Sequence, residues 1–168
     1  VPVLLELSSF QLDRLGEVRW RPDVAVVTNF APNHLDVHGS LAAYRHAKQQ
    51  VLRWQTAQDV AVLNGDDAEV ATWAGLGDGR ALLFHTNNSK EEGVCLADGR
   101  IVARDASGDR ELASTDDVRV PGRHNLANAA AACAAADAMG ASPDQIRGGL
   151  RGFGGIEHRL ERVADVAG

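Results

Sequence analysis

The chain has 168 residues, 45% of them hydrophobic and 24% charged, with a formal net charge of −6. That length buries a substantial core, and the composition excludes wholesale disorder. It holds no apolar run of about 18 residues that could span a membrane, and its acidic balance argues against a nucleic-acid binder, which needs a basic patch. Two cysteines, Cys95 and Cys133, give neither a disulfide framework nor zinc spacing, so a reducing cytoplasm is expected.

The chain opens at Val1, inside an apolar run, and a piece of something longer is expected. Val3 to Leu7, interrupted by Glu6, has the pattern of a parallel strand covered on both faces. Ser8-Ser9 offers caps for a short helix to about Leu15. Asp23 to Thr28 is a second buried strand, stopped by Asn29-Phe30-Ala31-Pro32. Ser40 caps a helix from Leu41 to about Gln55; Val60 to Asn64 is a third strand, and Asp66-Asp67 open a helix up to Trp73.

Arg80 to His85 reads as one more strand. Val94 to Leu96 and Ile101 to Ala103 then flank Asp98-Gly99, a hairpin signal, which makes residues 86–120 a small antiparallel insert. An alanine-rich helix follows from about Asn125 to Met139, closed by Gly140, and Ser142-Pro143 starts a last helix to about Gly152. Strand and helix in alternation imply one α/β domain: a mostly parallel sheet flanked by helices, with a small antiparallel β insert.

Ligands of open α/β sheets bind beyond the carboxyl ends of the strands. Glu6, Asn29 to His34, and Asn64 to Asp67 all fall at such ends. A carboxylate in an apolar strand needs a partner, either a ligand or a structural ion pair. His34, Asp36 and His38 alternate with period two, which makes a metal cluster if the string is extended and scatters it if the string is a turn.

Lys48 is one of only two lysines among 17 basic residues. It shares an apolar stripe with Leu41, Tyr44, Val51 and Leu52, whereas Arg45, His46, Gln49 and Gln50 occupy other faces. A lysine on that stripe either snorkels past the core edge or does chemistry a guanidinium cannot, such as attack on carbon dioxide. Asn125 and Asn128 share one side of the alanine helix's first turn, as caps or as donors to a nucleotide. His158-Arg159 follows glycine-rich Gly152 to Gly155 and reads as a basic linker or a nucleotide contact.

Taken in order, these segments resemble one family. Glu6-Leu7-Ser8-Ser9-Phe10-Gln11-Leu12, Thr28-Asn29 with His34-Leu35-Asp36-Val37-His38-Gly39, and Tyr44-Arg45-His46-Ala47-Lys48 are similar to the central domain of the Mur ligases. Asn64 with Asp66-Asp67, Gly122-Arg123-His124-Asn125 with Asn128, and Gly154 to Glu161 continue the likeness, which runs over roughly residues 4 to 164. Within the family the Ser-Ser-Phe-Gln stretch resembles the D-glutamate-adding members most.

The resemblance implies an ATP-dependent amide ligase of peptidoglycan synthesis. Its substrates would be the small molecules UDP-N-acetylmuramoyl-L-alanine and D-glutamate, and it would work as a monomer with ATP and Mg2+. By resemblance Glu6, His34 and a carbamylated Lys48 hold the metal, with His34 and Lys48 in catalytic roles. Ser8, Gln11 and Tyr44 face the substrates, and Asn125, Asn128, His158 and Arg159 border the adenosine. Asn33 stands where the family usually has aspartate, and no Gly-x-x-Gly-Lys-Thr/Ser phosphate loop occurs. In the family that loop lies upstream of the Glu6 strand. Residues 1–168 are therefore expected to be a P-loop-type central ATP-binding domain without its P-loop segment and without the N-terminal UDP-binding and C-terminal domains.

The competing expectations are another Mur ligase or a folylpolyglutamate synthase, a metal-dependent hydrolase built on His34, Asp36 and His38, and a nucleotide-binding module without catalysis.

Overall fold

The computed structural model describes residues 2–33 and 35–156. The chain divides into two compact units, residues 1–83 and 84–168.

The first unit opens with residues 2–7 outside any helix or strand. This corrects the strand expected over Val3 to Leu7: Leu4 is 96% and Val3 82% exposed. The apolar pattern marks a segment that gains by burial, but a strand also needs a neighbour to take its backbone hydrogen bonds. Among the described residues none pairs with it. Glu6 is exposed on the same segment, not a buried strand carboxylate.

Helix α1 (Ser9–Glu17) begins as the sequence dictates. Ser8 Oγ accepts from the Gln11 N–H at 3.3 Å and Gln11 Oε1 accepts from the Ser8 N–H at 2.8 Å, closing a capping box. Strand β1 (Val24–Val27) runs parallel to β2 (Val60–Asn64), with Val24 beside Val60 and Val27 beside Leu63. Between them lie α2 (Leu35–His38), a single helical turn, and α3 (Leu41–Arg53), capped by Ser40. Helix α4 (Ala68–Ala71) is capped by Asp67. Strand β3 (Arg80–His85) starts beside β2, where the Arg80 N–H donates to the Asp59 carbonyl at 2.9 Å.

One core cluster gathers Ala25 and Val27 of β1, Ala61 and Leu63 of β2, Leu52 of α3, Val70 of α4 and Trp73. Alternate residues of β1 enter it because strand side chains alternate between faces. Helix α3 is covered on a second side as well. Helix α1 packs against it, and Gln50, off the apolar stripe, is buried there with its Nε2 on the His46 carbonyl at 3.2 Å. Gly16 makes that approach possible: a Cβ there would stand 2.5 Å from Gln50 Oε1.

The second unit begins with the end of β3, parallel to β4 (Gly93–Ala97) through Phe84–Val94 and His85–Cys95. Strands β4, β5 (Arg100–Asp105) and β6 (Gly108–Ser114) form an antiparallel meander. The β4–β5 turn has positive φ at Asp98 (50°) and Gly99 (75°), matching the twist of a two-residue hairpin. A register shift at Ile101/Val102 against β6 leaves Leu112 as an extra residue, and both Leu112 and Ala113 are buried. Helix α5 (Arg123–Ala138) lays its alanines on β4 and β5, and α6 (Pro143–Gly152) packs on β6 and α5. The paired strands thus combine a parallel α/β core with the expected antiparallel insert.

Candidate functional site

The carboxyl ends of β1 and β2 lie side by side, and the residues after them are bound to each other. Asn64 Nδ2 donates to the Thr28 carbonyl at 2.7 Å. Asp67 Oδ2 accepts from the Phe30 N–H at 2.8 Å, while its Oδ1 accepts from the N–H groups of Glu69 and Val70 at 3.0 Å each. One carboxylate therefore caps α4 and fixes the loop that leads to residue 34. Sequence reading placed Asp67 at a helix start but missed this second bond, which joins residues 37 positions apart.

Behind that loop is a charged and aromatic cluster. Arg45 Nε lies 2.6 Å from Glu69 Oε1, and the Trp73 indole N–H donates to the same oxygen at 3.0 Å. The Trp73 and Arg45 donors hold the Glu69 carboxyl below its ordinary range. The Arg45 guanidinium also sits over the Phe30 ring at 5.7 Å.

The expected site residues are distributed as follows. Tyr44 is buried at 5% exposure, stacked on Phe30 at 5.3 Å. Lys48 is half-buried beside it, with Nζ 5.5 Å from the Tyr44 ring centre. Its place on the Tyr44 side of α3 agrees with the periodicity. Ser8 and Gln11 are engaged with one another in the capping box, so both are fixed at the mouth of α1. Asn125 does not cap α5; its Nδ2 reaches back to the Pro121 carbonyl at 2.7 Å, and the cap position is Gly122, with φ 109°. Asn128 is exposed one turn on. His34, His158 and Arg159 lie outside the described residues.

The His34–His38 string is helical where it is described. Residues two apart on a helix point some 200° from one another, so Asp36 and His38 diverge. Gly39, with φ 73°, ends the turn, which is the signal that a helix rather than a strand precedes it. Among the described residues no group of three His, Cys, Asp or Glu side chains could hold a metal ion. Asp36 and His38 do not share a face within the described part of that string. His38 is packed against Phe10 and Tyr44.

The donor chemistry fits a hard cation on one condition. Glu6 supplies a carboxylate, whereas Lys48 supplies an oxygen only once its amine has taken up carbon dioxide, because magnesium prefers oxygen to nitrogen. Among the described residues no carboxylate pairs with Lys48, whose Nζ lies over the Tyr44 ring. No helix among these residues is long and apolar enough to cross a membrane.

Comparison with known proteins bears on the whole chain. Residues 2–136 match the Mur ligase middle domain. The UDP-N-acetylmuramoylalanine--D-glutamate ligase of Acetivibrio thermocellus is 42% identical over 167 residues, 99% of this chain and 35% of that protein. The chain thus spans about a third of the length of the curated relatives it matches. Among solved structures, MurF from Acinetobacter baumannii superposes with a TM-score of 0.67 at 25% identity, covering 92% of this chain and 34% of that one. E. coli FolC in complex with DHPP and ADP gives 0.51 at 26% identity, over 77% and 30%. A middle-domain match over most of the chain, on a fold these ligases share, means that the chain belongs to the Mur ligase family.

Proposed function

We propose that the protein carrying this chain is an ATP-dependent ligase that adds D-glutamate to UDP-N-acetylmuramoyl-L-alanine in peptidoglycan synthesis. The observation that carries this reading is the 42% identity to a D-glutamate ligase across 99% of the chain. The ordered motifs from Glu6 to Asn128 support it.

In this reaction the substrate carboxylate attacks the γ-phosphorus of ATP, ADP leaves, and an acyl phosphate results. The D-glutamate amine then attacks the acyl carbon, loses a proton, and expels inorganic phosphate. Glu6, His34 and carbamylated Lys48 would hold Mg2+, which supplies charge neutralisation of the phosphate oxygens when bound. The chain's own described side chains position and orient. The capping box fixes Ser8 and Gln11 against one another at the start of α1, where we take them, with Tyr44, to face the substrates, and the Tyr44 ring lies beside Lys48. Asn125, Asn128, His158 and Arg159 would border the adenosine, and the exposed Asn128 amide is free to read a base edge. Two buried free thiols suit a cytoplasmic protein, and we take it to act as a monomer.

The test uses the full-length protein. Phosphate release should require ATP, Mg2+, UDP-N-acetylmuramoyl-L-alanine and D-glutamate together, and Lys48→Arg should abolish it. Release that another amino acid supports equally well would overturn the D-glutamate assignment. Activity on a folate substrate instead would favour the folylpolyglutamate synthase alternative, which the likeness to FolC keeps in view.

A further inference from the structure

Three segments that carry expected site residues meet at one side chain. His38, on α2, has its Nε2 2.9 Å from Ser9 Oγ, and Ser9 is buried at the start of α1. The Phe10 ring lies on the imidazole at 4.8 Å with only 7° between the planes. The imidazole also meets Tyr44 of α3 at 5.3 Å, with 53° between the ring planes, and Tyr44 in turn carries Lys48 over its face. Ser8 and Gln11 flank the Ser9-Phe10 pair directly. All these residues lie within the first unit.

We propose that His38 is a positioning residue for the ligase reaction. It locks the Ser8–Gln11 turn to the Tyr44–Lys48 face of α3, so that the substrate-facing and lysine-bearing segments move as one body. This rests on the ligase reading above. Two features separate it from mere core filling. The contact is directional, a hydrogen bond between two side chains 29 residues apart, and it is only partly buried, so water competes for it when the geometry slackens. A ring stacked on Phe10, set at a tilt against Tyr44 and bonded at one nitrogen is held in orientation, the condition for keeping neighbouring groups to the tolerance catalysis demands.

The test separates bond from ring in the full-length protein. His38→Phe keeps the ring on Phe10 and removes the bond; Ser9→Ala removes the bond from the other side; His38→Gln returns an amide nitrogen near the place of Nε2. His38→Phe and Ser9→Ala should each raise KM for the UDP-linked substrate about tenfold, the equivalent of one hydrogen bond of about 1.4 kcal/mol, with kcat within about threefold. The double variant should be no more than about twofold worse than the poorer single one, and His38→Gln should recover most of the loss. Hydrogen exchange supplies a readout apart from turnover: the amides of residues 9–12 should exchange faster in His38→Phe and in Ser9→Ala than in the parent protein.

An unchanged KM, losses that multiply in the double variant, or a His38→Gln protein as impaired as His38→Phe would overturn the proposal. If the parent protein shows no turnover with these substrates, the ligase reading falls, and exchange at residues 9–12 that does not respond to His38→Phe then overturns the positioning role as well. Should His38→Phe fail to fold, Ser9→Ala alone decides.

Discussion

Replacing Asp67 by alanine tests the bond that fixes the site loop. Its carboxylate accepts three backbone N–H groups, from Glu69 and Val70 at 3.0 Å and from Phe30 at 2.8 Å. Loss of the α4 cap costs about 0.5–2 kcal/mol. The part-buried Phe30 N–H, left without a partner, costs a further 1–3 kcal/mol or so. Together the expected destabilisation of the first unit is about 1.5–5 kcal/mol. Asp67→Asn should cost roughly half of that, since its amide oxygen can still cap the helix while its nitrogen confronts the Phe30 N–H. The assay follows from where the fluorophores sit: all three tryptophans, Trp20, Trp54 and Trp73, fall in the unit of residues 1–83. Tryptophan emission during urea unfolding therefore reports that unit and not the other. With a slope of about 1.5 kcal/mol per molar urea, the Asp67→Ala midpoint should fall by about 1–3 M. A midpoint within about 0.3 M of the parent, or an alanine variant no worse than asparagine, would refute the reasoning.

Other expectations follow from the same geometry. Asp59 is 3% exposed. Burial raises its pKa, but the Thr56 N–H and hydroxyl at 2.6 and 2.9 Å, with Arg21, outweigh that and hold it below the ordinary 3.8. Its contribution is present above pH 3.8 and lost as pH falls through the lower folded value. Asp59→Asn should thus lower stability at pH 7 by about 1–3 kcal/mol and flatten the acid limb of a stability–pH curve; an unchanged acid limb would contradict this. A Cβ on Gly77 would lie 2.2 Å from the Leu52 carbonyl oxygen, a backbone atom that cannot step aside. Gly77→Ala should lower the tryptophan-monitored stability by about 1–3 kcal/mol, and a neutral result would contradict the packing of that loop on α3. Burial, with Asp137 and Asp117 adding to it, pushes the Cys133 thiol up to about 12, and Cys95 is buried and raised as well. Neither should react with a thiol reagent at pH 8 until the protein unfolds; labelling at the rate of a small-molecule thiol would show that the alanine helix opens.

Much of this molecule was written locally in its amino acids. Ser8 with Gln11, Ser40, Asp67 and Ser142 with Pro143 each start a helix at the expected place, because a cap needs only the three or four residues that follow it. Asp98-Gly99 specified the β4–β5 turn, since few other residue pairs tolerate two positive φ angles in succession. The ordered motifs from Glu6 to Asn128 likewise placed the chain in its family, and the match over residues 2–136 bears that out.

What sequence could not supply was the identity of neighbours. The Val3–Leu7 run carries the hydrophobicity of a buried strand, yet its exposure depends on whether another strand offers a ladder. Gln50 reads only as a polar residue off the apolar stripe, and its burial follows from α1 lying on that side of α3 at Gly16. The spacing of His34, Asp36 and His38 left open whether they cluster or scatter; the helical turn over Leu35–His38 aims Asp36 away from His38 and gives the imidazole to Ser9, Phe10 and Tyr44. Local torsional preference and capping act over a few residues and survive any context. Pairing, burial and side-chain partnership are set by groups dozens of positions away, and these only the folded chain brings together.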